Sequence, residues 1–358
     1  MKKKLLALLM ATVMILSLAA CGGSNSGDSG DSGNSGDSGS TSGDSGSSGS
    51  GDSGEVIRFK MAFVDPESSP YAQGGLKVAE EVKAATNGRI EIEVLTGGSL
   101  GGERDMVELT MDNSLDIATC ANSVMTNFIP EMSILDQAYL WKNADEAHAA
   151  VDGPVGALIQ EKANALGLHV IGYMESGFRN TFSTKPIEKM SDFSGVTIRT
   201  MENQYHQAAF EAFGAMPIAM SANDVFTALQ QGTIDAAENA TANCYNNGFY
   251  EVTKHITNTQ HAFVYILLCM SEDAWSKIPA DLQQPFLDAV QRGVDFERDL
   301  LVQANEEAAE KLVAEGVTFH EIDIAELQAA YQAKAAEKGF TFDPAWQAAV
   351  DEAIASVA

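Results

Sequence analysis

Beyond residue 54 the sequence predicts an α/β chain folded in two lobes, on three observations. Strand and helix patterns alternate as βαβαβ over residues 56–119, which favours a parallel sheet with helices on both faces. About three hundred residues follow the low-complexity start, enough for two α/β lobes with real cores. An apolar run over residues 260–270 reads as a buried strand that crosses back from the second lobe to the first.

The elements follow in order. Residues 56–64 alternate and open the first strand. Pro66 and Pro70 break it before a helix over residues 71–86, with Leu76, Ala79 and Val82 on one face and Asn87-Gly88 as its stop. Residues 90–95 form the second strand. The loop Gly97-Gly98-Ser99-Leu100-Gly101-Gly102 leads into a helix through Glu103. It has neither the P-loop lysine nor the dinucleotide spacing, so it is not a phosphate cradle. Residues 115–119 make the third strand. Ligands bind off the carboxyl ends of such strands, where Glu103 and Asn122 stand.

One long helix is expected over residues 144–166, ended by Gly167. A strand over 168–173 follows, then another near 178–184 that crosses into the second lobe. The strand Val196-Thr197-Ile198 closes on Arg199. A helix over 203–213 stops at Gly214, and another over 222–231 has Ser221 as its N-cap. Residues 233–236 are a short strand leading to Asn239. Pro279 and Asp281 open a long helix to about residue 315, without the sustained heptad of a coiled coil. Two amphipathic helices, 324–338 and 344–357, finish the chain.

The first 54 residues are of another kind. Lys2-Lys3-Lys4 and the apolar residues 5–18 form an export signal too short for a comfortable membrane span. It ends in Leu18-Ala19-Ala20-Cys21, which looks like a bacterial lipobox and implies lipidation of Cys21 and attachment to the membrane. Residues 22–54 are almost all Gly, Ser and Asp with almost nothing to bury, a flexible tether. Its random-coil reach is ~5–6 Å × √n, or roughly 30 Å.

The net charge of −28 excludes a basic footprint for nucleic acid. Cys120, Cys244 and Cys269 show no C-x-x-C spacing, so free buried thiols are expected, with one pair as the lesser alternative. There is no G-x-S-x-G, H-E-x-x-H, Walker sequence or Cys/His cluster; no enzyme, cofactor or metal is expected.

Function concentrates in residues 177–243. Arg179 and Arg199 stand at the two ends of a strand–turn–strand pattern, and Glu238-Asn239 follows at the end of a later strand. An arginine that closes a strand before a helix is placed to meet a carboxylate with its planar fork.

The order of motifs resembles the solute-binding proteins of TRAP transporters, the DctP family. The residues that carry it are Gly177-Phe178-Arg179, the run from Asp192 through Gly195 to Ile198-Arg199, Gly214-Ala215-Met216-Pro217, the run from Ala228-Leu229-Gln230 through Gly232 to Asp235, and Glu238-Asn239. The resemblance implies a periplasmic-binding-protein-like (Venus flytrap) α/β fold, with crossover strands and a lobe-spanning helix near residues 279–315. Residues 55–176 and 265–304 then form lobe I, and residues 177–264 and 305–358 form lobe II.

The resemblance also implies an extracytoplasmic receptor for a small carboxylate-bearing solute, which hands that solute to TRAP permease subunits in the membrane. Arg199 becomes the main clamp, Arg179 a second positive or shaping group, and Asn239 a hydrogen-bonding partner from lobe II. Glu103 and Asn122 contribute from lobe I. Two departures stand out: Thr200-Met201-Glu202-Asn203 replaces the familiar V-P, and Ala240 stands where proline is usual. Glu202 beside the clamp is suited to a hydroxyl or amine of the solute. The alternatives are a binding module that feeds a sensor, and an extracellular lyase or glycosidase acting on an acidic sugar.

Overall fold

The computed structural model describes residues 56–358; the export signal, Cys21 and the tether lie outside the described residues. The chain runs β1 (Ile57–Ala62), α1 (Pro70–Ala85), β2 (Ile90–Leu95), α2 (Glu103–Met111), β3 (Ile117–Ala121), α3 (Asn122–Met125), α4 (Ala144–Val151), α5 (Pro154–Ala165), β4 (Leu168–Phe178) and β5 (Asn180–Ser183). It continues through β6 (Thr197–Thr200), α6 (Gln204–Phe213), β7 (Met216–Ala219), α7 (Val225–Gln230), β8 (Ala236–Asn239), α8 (Thr241–Asn246), β9 (His255–Thr257) and β10 (Phe263–Ser271). The last elements are α9 (Glu272–Ser276), α10 (Ala280–Ala314), β11 (Thr318–His320), α11 (Ile324–Lys338) and α12 (Pro344–Ser356).

Two sheets define two lobes. Lobe I has the order β2-β1-β3-β10-β4, and lobe II has β11-β9-β5-β8-β6-β7. The βαβαβ unit pairs β1 in parallel with β2 and β3, as its alternation predicts. The sheet is nevertheless mixed, because β10 enters antiparallel between β3 and β4.

Both faces of β10 are buried. Tyr265, Leu267 and Cys269 join the cluster beneath α4, α5 and α12, while Val264, Ile266, Leu268 and Met270 join the one beneath α1 and α10. A strand covered on both sides has no reason to alternate, so its sequence reads as one apolar run. Lobe II is likewise cored on two sides, by clusters around Phe182 and Leu312 and around Phe193 and Phe210.

Helix α10 links the lobes: Phe286, Val290 and Val294 lie in a lobe I cluster, and Leu301, Ala308 and Leu312 in a lobe II cluster. It packs on α1 through small residues. A Cβ on Gly293 would stand 2.4 Å from Val78 Cγ2, and one on Gly74 2.6 Å from Glu297 Cβ. The buried face of α1 is therefore Gly74, Gly75, Val78 and Val82, and Leu76, expected inside, is exposed.

Several expected boundaries move. The long helix over 144–166 is two helices, because Pro154 disfavours a helical Gly153 and restarts the helix. Strand β3 lies two residues later than expected, and β4 continues to Phe178. The helix over 222–231 begins as a 3-10 turn, Ala222–Asp224, and the Ser221 side chain caps nothing there. The strand leading to Asn239 is 236–239 rather than 233–236. Strands β7, β9 and β11 and helix α8 were not anticipated; β9 and β11 are three residues each, too short to show a period.

The lobe limits also need correction. Trp346, Ala349, Val350 and Ala353 of α12 pack into lobe I, although residues 305–358 were assigned to lobe II. Ala138 and Tyr139 dip into lobe II from a segment assigned to lobe I. Cys120, Cys244 and Cys269 are buried free thiols.

Candidate functional site

A cleft opens where the carboxyl ends of β1 and β3 face those of β6 and β8. Two hollows of about 340 Å³ and 170 Å³ share Arg199 in their walls. The larger is also lined by Asp65, Asn239, Asn246, Asn247 and Phe226, and the smaller by Glu103, Glu202, Met201 and Ser221.

The two arginines differ in how their donors are used. Arg179 sits between β4 and β5, opposite the end of β8, where the β5–β8 ladder aligns Thr181 with Glu238 and Asn180 with Asn239. Its Nε donates to Glu238 Oε2, and its Nη2 to Glu238 Oε1 at 3.0 Å and to the Glu238 carbonyl at 2.7 Å. Its Nη1 donates to Asn239 Oδ1 at 2.7 Å and to Ser176 Oγ at 3.1 Å. All five N–H groups are thereby used. Arg179 therefore has no donor left for a solute.

Arg199, at the third position of β6, spends only Nε, on the Met220 carbonyl at 2.9 Å. Its Nη1 lies 3.6 Å from Glu238 Oε1, beyond a hydrogen bond. Burial lowers its pKa and Glu238 opposes this; a guanidinium stays charged regardless. Among the described residues, then, Arg199 turns unspent η donors to the cleft.

Asn239 complements it. Its Oδ1 accepts from Arg179, from Asn243 Nδ2 at 3.1 Å and from the Ala240 N–H at 2.8 Å, which fixes the amide in the wall of the larger hollow.

Lobe I supplies acids. Glu103 Oε1 accepts the Ala121 N–H at 3.2 Å, and burial, reinforced by Asp65, pushes its pKa up to about 7. Asp65, at the loop after β1, is also raised by burial, against its bond from Asn247. Glu238 runs the other way: burial would raise it, but Arg179 and His261 hold it well below the usual carboxylate range.

Glu202 lines the smaller hollow, with its backbone carbonyl held by Asn127 Nδ2 at 3.2 Å. Asn122 is a different matter and corrects the expectation. It is fully buried, donates to Asp136 Oδ1 at 2.8 Å and accepts the Tyr265 N–H at 2.9 Å, so its amide serves the fold and not the cleft.

His206, Glu238 and His261 bring one ligand atom each within 4.8 Å of one another. Both Glu238 oxygens already hold Arg179, and Arg199 is near; two guanidiniums beside this carboxylate oppose a metal cation there.

Sequence reasoning missed Asp65, Asn246 and Asn247. Asp65 stands just past the carboxyl end of a parallel strand, where ligands gather. The asparagines at 239, 243, 246 and 247 recur at near-helical spacing, a signal that was present and unused.

Comparison with known proteins gives consistent answers. A model of the family described as bacterial extracellular solute-binding protein, family 7 (DctP), matches residues 61–338, well over half the chain. A solute-binding protein of Verminephrobacter eiseniae is 34% identical over 241 residues, covering 67% of this chain and 72% of its own. A TRAP periplasmic solute-binding protein from Citrobacter koseri, with bound D-glucuronate, is 30% identical with a TM-score of 0.77, covering 83% of this chain and 99% of its own. Another from Xanthobacter autotrophicus, with bound β-D-galacturonate, is 27% identical with a TM-score of 0.78, again over 83% and 99%. This chain belongs to the DctP family of TRAP-transporter solute-binding proteins: a two-lobed extracytoplasmic binding protein, not an enzyme.

Proposed function

We propose that the cleft captures a small organic acid with one carboxylate and several hydroxyls, in the manner of a sugar acid, and that the closed lobes deliver it to a TRAP permease. The observation that carries this reading is Arg199, a buried guanidinium whose η donors meet no acceptor among the described residues. A bidentate carboxylate fits it, and such a charge-assisted pair is roughly twice as strong as a neutral hydrogen bond.

The rest of the lining supports hydroxyls over a second carboxylate. Asp65, Glu103 and Glu202 offer oxygens to solute hydroxyls, whereas a second carboxylate would add a like charge where burial already disfavours the ionised forms of Asp65 and Glu103. The uronates bound by the Citrobacter and Xanthobacter proteins agree with this class.

Contacts across the cleft support closure. Asn247 Nδ2 donates to Asp65 Oδ1 at 3.3 Å, Asn243 Nδ2 donates to Tyr71 Oη, and Gly98 lies so near Asn223 that an added Cβ would stand 2.7 Å from its Oδ1. Closure dries the Arg199–carboxylate pair and strengthens it, provided all partners are satisfied. The lipobox-like Leu18-Ala19-Ala20-Cys21 supports anchoring through Cys21. Membrane fractionation of wild type against Cys21→Ala checks it: the variant is expected in the soluble fraction.

A thermal-shift screen of the purified chain against uronates, aldonates, keto acids and dicarboxylates tests the binding reading, with Arg199→Ala alongside. A ligand at a hundredfold its Kd stabilises by about 2.7 kcal/mol. A sugar acid is expected to shift wild type and not the variant. Equal shifts in both would make Arg199 structural, and a response to dicarboxylates alone would overturn the hydroxyl-acceptor reading.

A further inference from the structure

The ladder joining β4 to β10 runs from Phe178↔Phe263 to Leu168↔Ser271, and its register slips twice, between Leu268 and Cys269 and, nearer the second lobe, between Val264 and Tyr265. There Gly177 pairs with Val264 and Glu175 with Tyr265, which leaves Ser176 as a bulge. The bulge lies three residues before Arg179. Its hydroxyl accepts from Arg179 Nη1 at 3.1 Å and stands 3.3 Å from Asn239 Oδ1.

Two backbone donors at this slip are held by side chains. Glu175 N–H donates to Glu297 Oε2 at 3.0 Å, and Tyr265 N–H to Asn122 Oδ1 at 2.9 Å. Each side chain leads to the other lobe. Glu297 sits on α10 between Val294, packed in lobe I, and Leu301, packed in lobe II. Asn122 holds Asp136, which also accepts from Asn203 Nδ2 at 2.7 Å, and Asn203 is the N-cap of α6 in lobe II.

Glu297 is costly where it stands. It is fully buried, its Oε1 has no partner among the described residues, and it is pressed against Gly74. An apolar residue would remove the unpartnered Oε1 but leave the buried Glu175 N–H without its acceptor. Its Oε2 bond to Glu175 is what an apolar residue cannot supply.

We propose that Glu297 and Asn122 are positioning residues of solute capture, pins that take over the two backbone N–H groups at the Ser176 bulge so that the strand pair joining the lobes bends there. A ladder interrupted by a bulge bends more easily than an unbroken one, and the pins keep its donors satisfied. The same bulge sets Ser176 behind Arg179 and Asn239, which ties the bend to the cleft wall. The proposal rests on the closure reading above.

The test uses the whole chain as wild type, Glu297→Gln, Glu297→Leu and Asn122→Ala. Amide hydrogen exchange is read at Glu175 and Tyr265, and solute dissociation by stopped flow. Glu297→Leu is expected to speed exchange at Glu175 and solute release by about tenfold or more each. Glu297→Gln keeps the acceptor and should stay within about twofold of wild type in both. Asn122→Ala carries the same expectation at Tyr265, and decides the matter if Glu297→Leu does not fold. Wild-type exchange and release in the Leu and Ala variants would overturn the proposal, as would a Gln variant as impaired as Leu. A wild type that binds no organic acid would defeat the closure reading alone, since the exchange arm needs no solute.

Discussion

Arg179 and Arg199 share a residue type, deep burial and a common neighbour in Glu238, yet only one has donors to offer. Removing Arg179 takes the hydrogen-bonding partner from both oxygens of the buried Glu238 and leaves only Arg199 at 3.6 Å and His261 beside it. Arg179→Ala should therefore destabilise by ~3–5 kcal/mol, the usual cost of breaking a buried pair from one side, read by denaturant unfolding. Glu103 gives a pH signature. Its pKa rises from 4.5 to about 7 on folding, so folding takes up a proton between those values and its contribution to stability declines as pH rises through that window. Glu103→Gln, which cannot ionise, should flatten that part of the stability–pH profile; an unchanged slope would remove Glu103 as its source. Arg199 as a candidate clamp was legible in sequence, because an arginine closing a strand before a helix is a local pattern. What separates it from Arg179 was not, since that depends on β5 laying Thr181 and Asn180 beside Glu238 and Asn239, some sixty positions on.

Among the elements, those with strong local signals fell where the sequence placed them. Helix α10 and strand β10 are long, and α11 has Asp323 as cap and Gly339 as stop. Failures came where tertiary packing overrode the period. The inward face of α1 is glycine, not leucine, because α10 approaches too closely for a side chain. Gly293→Ala would push a Cβ to 2.4 Å from Val78 Cγ2 and 2.8 Å from its backbone, so α1 and α10 must separate. Overpacking of this kind costs ~1–3 kcal/mol. Calorimetry should show a lower Tm for Gly293→Ala, and an unchanged Tm would mean the helices slide apart freely. The break in the expected helix over 144–166 was, by contrast, written in Gly153-Pro154 and overlooked.

At the scale of the whole molecule, two lobes are joined by the β4–β10 ladder, by α10 and by the excursion of Ala138 and Tyr139. This division was legible from length and alternation, but the placing of α12 on lobe I was not, because an amphipathic helix does not name its partner. The strong negative charge favours solubility and identifies no solute. In the proposed reading, specificity rests on Arg199, whose η donors face a cleft also lined by Asp65, Glu103, Glu202 and several amides. Isothermal titration calorimetry of a uronate against its neutral parent sugar, in wild type and in Arg199→Lys, tests this most directly. The account predicts that wild type binds the acid and not the neutral sugar, and that Lys, which cannot make the bidentate contact, loses affinity by about tenfold or more. Equal affinity for the acid in both proteins, or equal affinity of wild type for acid and sugar, would contradict it.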